Sequence, residues 1–81
     1  MPHVIVKLFP GRSEQQKIQL AQEITKTVVT ITGCKERSVS VAIEEIEPET
    51  WAEDVYKPYI LANPEKLYKK PGYNPFEQNG Q

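Results

Sequence analysis

Three residues have side chains or backbone groups suited to acid–base chemistry on a small anion: Pro2, Arg12 and Trp51. Pro2 directly follows the initiator methionine, and a residue this small at position two permits removal of Met1. The product is a secondary amine on a rigid ring. An α-amine ordinarily titrates at about 7.7–8.0, and apolar surroundings or a nearby cation lower that value. Such an amine is a general base poised near neutral pH. Arg12 offers a planar fork of donors that matches a carboxylate. It stands just before a helix start, where the end of the helix dipole also favours anions. Trp51, the one tryptophan, reads equally as an apolar wall beside the amine or as a core or interface anchor. His3 is next to Pro2, but strand alternation turns it to the opposite face, as a structural or rim residue. Cys34 lies in a turn with no basic partner in sequence and reads as inert. Tyr56, Tyr59, Tyr68 and Tyr73 read as packing for the C-terminal segment rather than ligands.

These residues need elements to place them. Val4 to Phe9 is β-branched and apolar, a strand that begins almost at Pro2 and stops at Pro10-Gly11. Ser13 and Gln16 have the spacing of a capping box. Leu20, Ala21, Ile24, Val28 and Ile31 then form one apolar stripe on a helix of about five turns, with Gly33 at its C-cap. A second strand runs from Ser38 to about Ile46. Val39, Val41 and Ile43 share one of its faces, and Ser40, Ala42 and Glu44 the other. Strand, long helix and strand make a βαβ unit with two parallel strands. The fold class is therefore α/β (α+β), with one long helix and short C-terminal helices. Pro48 opens a helical turn. Residues 52–62 read as helix interrupted by Pro58. Asn63-Pro64 reads as a second helix start, ended by Lys69-Lys70-Pro71-Gly72-Tyr73. Residues 74–81 read as a polar, flexible tail.

Length and composition set the class. The 81 residues suggest one domain with a marginal core. Small scaffolds need a staple. One cysteine excludes an internal disulfide, and Cys34 with His3 is too small a set for structural zinc, so no metal is expected. The remaining device is self-association. A two-stranded sheet has open edges, and two copies laid edge to edge would give four strands with both long helices on one face. The net charge of −1, from ten basic and eleven acidic residues, lacks the basic stripe of a nucleic-acid binder. No apolar run approaches a membrane span. No secretion signal opens the chain, and a lone cysteine suits a reducing compartment. The expectation is a cytoplasmic protein without nucleic-acid or membrane partners.

The order Pro2, strand, Phe9-Pro10-Gly11-Arg12-Ser13-Glu14-Gln15-Gln16-Lys17, helix and second strand resembles the 4-oxalocrotonate tautomerase family. The likeness runs without a gap from Pro2 to about Trp51. Pro48-Glu49-Thr50-Trp51 and Lys69-Lys70-Pro71-Gly72-Tyr73 resemble its longer, dimeric bacterial members of the PptA type. The resemblance implies a cofactor-free keto–enol tautomerase, an isomerase of small 2-hydroxy-enol or 2-oxo carboxylates. Pro2 would move the proton and Arg12 would bind the carboxylate. Trp51 would keep the site apolar, and the site would form at subunit contacts. It implies a homodimer, with a hexamer as the alternative. One departure stands at Ser40, where the hexameric prototype has a second arginine. Serine donates one uncharged hydrogen bond, and a lost charge-assisted partner is worth on the order of 1.5–3 kcal/mol. That favours a monocarboxylate, such as phenylenolpyruvate or a 2-hydroxydienoate, over 2-hydroxymuconate, unless Arg37 compensates. Two alternatives stay open. One is Pro-dependent hydration or hydrolytic dehalogenation, with Glu44 or Glu45 activating water. The other is a non-catalytic oligomeric binding module on the same fold.

Overall fold

Alternating apolar residues and one capped amphipathic helix generate the first half of the chain in this computed structural model, which describes residues 1–77. The first strand, β1, spans His3–Leu8. A turn follows in which Gly11 takes a φ of 127°, in the left-handed region that side chains with a Cβ avoid. Helix α1 spans Glu14–Thr32. The capping box is complete: Gln16 N–H donates to Ser13 Oγ (3.1 Å), and Ser13 N–H donates to Gln16 Oε1 (2.9 Å). Gly33 ends the helix at φ 78°, its N–H on the Val29 carbonyl at 2.9 Å. A helical turn, Glu36–Ser38, leads into the second strand, β2, Ser40–Glu45. This strand is shorter than the sequence suggests, because that turn takes up Ser38. The strands pair in parallel, with His3 opposite Ser40 and Leu8 opposite Glu45.

This register sorts the side chains. Val4, Val6 and Leu8 share one face with Val41, Ile43 and Glu45; α1 packs on β2, and Lys17 Nζ reaches Glu45 Oε2 at 3.2 Å. His3, Ile5 and Lys7 share the other face with Ser40, Ala42 and Glu44. On that face Ile5 is 48% exposed.

Contacts group the chain into two compact units, Met1–Glu45 and the part from Ile46 onward. In the second unit, Pro48–Thr50 forms a tight helical turn. The segment Ala52–Leu61 then winds as a wide helix with Pro58 inside it. Pro58 does not interrupt this helix, contrary to the sequence expectation. In an α-helix the proline ring would collide with the carbonyl four residues back. Winding to a five-residue spacing removes that conflict, as where Ala62 N–H reaches the Lys57 carbonyl (3.1 Å). The expected second helix is only the turn Pro64–Lys66. Asn63 does not cap it; its Nδ2 reaches back to the Pro58 carbonyl at 3.0 Å. Asn74 to Glu77 form a further turn, in which Glu77 N–H meets the Asn74 carbonyl at 3.2 Å. The rest of the expected tail, 78–81, lies outside the described residues.

Among the described residues only Val55 and Tyr56 are buried hydrophobics. Ile18, Leu20 and Ile31 of α1 are exposed, Ile31 at 77%. No helix among the described residues is long and apolar enough to cross a membrane.

Candidate active site

Pro2 sits immediately ahead of β1, half-buried, and its carbonyl accepts from Ser40 N–H at 3.1 Å. The proline is thus pinned by the first residue of β2. Its nitrogen is the amide of the Met1–Pro2 bond, and Met1 is 99% exposed, so that bond is open to processing.

The Gly11 to Lys17 segment divides into scaffold and chemistry. Gly11 supplies the turn and Ser13 with Gln16 the cap. Lys17 bridges Glu45 on β2 (3.2 Å) and Glu14 (3.3 Å). Its hydrogen bond to Glu45, then that to Glu14, raise the ammonium pKa above the ordinary 10.5. Arg12 is left over: exposed, and without an ion pair or hydrogen bond among the described residues. The capping box already engages the Gln16 N–H, so the guanidinium, more than the helix end, is what this loop offers to an anion.

Pro2 and Arg12 of one chain are not brought together. β1 separates them, six residues at about 3.3 Å each. They flank opposite ends of that strand, a separation no arginine side chain spans.

Ser40 lies beside Pro2 through the backbone, but its side chain is on the opposite face from the Pro2 parity. There Ser40 Oγ is 2.6 Å from His3 Nδ1. This pairing suits a structural or rim role for His3; the strand register sets it and no local spacing signals it. Arg37, in the turn Glu36–Ser38, is exposed. Glu44 and Glu45, the candidates for activating water, are both committed to ion pairs, with Lys7 (2.5 Å) and Lys17.

Trp51 belongs to the second unit, between the turn Pro48–Thr50 and the wide helix, half-buried. Its indole Nε1 donates to the Tyr73 hydroxyl at 2.8 Å.

A family model described as Tautomerase enzyme matches residues 2–56, the stretch that carries Pro2, Arg12, Ser40 and Trp51. Tautomerase PptA of Cronobacter sakazakii (strain ATCC BAA-894) is 43% identical over 74 residues, 90% of this chain and 97% of that protein. Among solved structures, YwhB, a homologue of 4-oxalocrotonate tautomerase, superposes with a TM-score of 0.56 at 39% identity, over 57% of this chain and 75% of that one. TomN, a 4-oxalocrotonate tautomerase homologue in the tomaymycin biosynthetic pathway, superposes with a TM-score of 0.60 at 34% identity, over 62% of this chain and 77% of that one. The chain belongs to the tautomerase family, and the βαβ fold and the isomerase class read from its sequence stand.

Proposed function

We propose that this chain is a cofactor-independent keto–enol tautomerase of small 2-hydroxy-enol monocarboxylates, with the Pro2 amine as its base. The observation that carries the reading is Pro2 itself. It is held at the head of β1 by Ser40 N–H, behind a fully exposed Met1, in a chain of the tautomerase family. Loss of Met1 turns the Pro2 amide into an amine. The neutral amine takes the enol hydroxyl proton, the carbonyl forms as the enol double bond shifts, and the prolinium returns a proton to carbon. No net proton or electron is gained or lost.

Arg12 is the carboxylate partner in this reading, and Trp51 the apolar wall that favours the neutral amine. Ser40 adds one uncharged donor or acceptor, which suits phenylenolpyruvate or a 2-hydroxydienoate better than a dicarboxylate. The engaged state of Glu44 and Glu45 argues against hydration or dehalogenation through either of them. We infer a cytoplasmic location, which suits the chain's single cysteine.

The separation of Pro2 from Arg12 makes the site a property of the oligomer. If two copies pair along the open edge of β1 about a two-fold axis, the two β1 strands run antiparallel. The head of one then lies by the tail of the other, and Pro2 meets the second copy's Arg12. Pairing along the edge of β2 does not achieve this. The thin core, with two buried hydrophobics among the described residues, supports the same homodimer; a hexamer would stack such dimers. The test is phenylenolpyruvate ketonisation by Pro2→Ala. A markedly lower rate is expected, and an undiminished rate would remove Pro2 from the role.

A further inference from the structure

We propose that Tyr73 is a positioning residue for Trp51, holding the indole so that it turns an apolar face, and no donor, to the substrate. The inference rests on the reading above, in which Trp51 lines the site. Indole has one polar group, an N–H that only donates. Here that donor is spent on the Tyr73 hydroxyl at 2.8 Å. Left open, it would draw water or a substrate oxygen towards a wall whose purpose is to stay dry.

Tyr73 is itself fixed by contacts that do not involve its hydroxyl. Its ring lies 5.5 Å from that of buried Tyr56, tilted by 55°. The Tyr56 hydroxyl donates to the Tyr73 carbonyl at 3.4 Å. Phe76 meets Tyr56 edge-on, at 5.9 Å and 69°. The turn that carries Phe76 is held by its N–H on Asn74 Oδ1 at 2.9 Å. The segment entered by Pro71-Gly72 therefore presents a rigid acceptor to the indole. Such pairs prefer tilted or edge-on geometry, which both ring contacts show. The consequence is selectivity: an indole whose N–H is already engaged suits enols whose distal substituent is aromatic or aliphatic, and disfavours ones that need an acceptor bonded there.

Tyr73→Phe keeps the ring, the carbonyl and every contact on Tyr56, and deletes only the acceptor. Trp51 is the sole tryptophan, so its emission reports the pair directly and without substrate. The expected result is a shifted emission maximum. It comes with a KM for phenylenolpyruvate raised roughly 2- to 12-fold, the range of one neutral hydrogen bond, and a smaller change in kcat. In a Trp51→Phe background, Tyr73→Phe should add nothing further, because the two residues act as one unit. Two results would overturn the inference. One is wild-type emission and KM in Tyr73→Phe. The other is a Tyr73→Phe effect of full size in the Trp51→Phe background. Failure of the proposed function shows separately: no phenylenolpyruvate ketonisation by the wild type removes the tautomerase activity, and full activity in a Pro2→Gln chain that retains Met1 removes Pro2 as its base.

Discussion

A chain carrying Pro2→Gln and a chain carrying Arg12→Ala are each expected to be impaired alone, yet to recover activity in one mixed oligomer. Glutamine is too large at position two for Met1 to be removed, so the nitrogen stays an amide and cannot take a proton. Arg12→Ala removes a charge-assisted bond to the carboxylate, which lowers kcat/KM roughly 10- to 150-fold. The structure sets the geometry. Pro2 and Arg12 flank β1, a strand about 17 Å long at six residues. A working site then pairs one chain's Pro2 with another chain's Arg12. In a Pro2→Gln/Arg12→Ala dimer, one of the two sites recovers both residues and the other has neither. Random reassembly of an equal mixture makes half of the dimers mixed, so about a quarter of wild-type activity returns. The assay is phenylenolpyruvate ketonisation after the two chains are co-refolded at equal concentration. Activity no higher than the average of the two parents would refute the shared site.

Other expectations follow from individual contacts. Ser40→Arg should improve kcat/KM for 2-hydroxymuconate roughly tenfold or more, the worth of one charge-assisted bond, measured against phenylenolpyruvate as the reference substrate. Ser13→Ala deletes half of the capping box and should cost about 1 kcal/mol of stability, read as a lower urea midpoint with an unchanged m-value. Lys17 has a folded pKa raised above its ordinary 10.5, first by Glu45 and then by Glu14. Its contribution to stability is therefore complete below 10.5 and lost as pH rises through the folded value. Lys17→Met should flatten that alkaline limb in urea titrations, and an unchanged limb would remove Lys17 from it.

The first 45 residues were legible because their signals are local. Alternation gives β1 and β2, the 3.6-residue stripe gives α1, and Ser13, Gln16 and Gly33 mark its ends. The boundary of β2 was not, because the turn Glu36–Ser38 has no strong marker and takes residues that look like strand. Pro58 misled for a physical reason. Proline breaks an α-helix but is accommodated by wider winding, and that choice depends on contacts beyond the segment. Pro2 and Arg12 were legible as chemistry because the amine and the guanidinium carry it in their types. Their separation was legible as well, since the strand read between them sets them at opposite ends of β1. The His3–Ser40 and Trp51–Tyr73 pairs join residues 37 and 22 positions apart. Nothing in local spacing encodes such pairs; the parallel register makes the first and the fold of the C-terminal segment the second.

The rate of phenylenolpyruvate ketonisation by Pro2→Gln, with intact mass confirming that it keeps Met1 and that the wild type has lost it, decides whether the Pro2 amine is the base. With the nitrogen locked as an amide, the expected rate is lower by about 100-fold or more, the contribution of a positioned general base. A Pro2→Gln chain as fast as the wild type, or a fully active wild type still bearing Met1, would contradict that role.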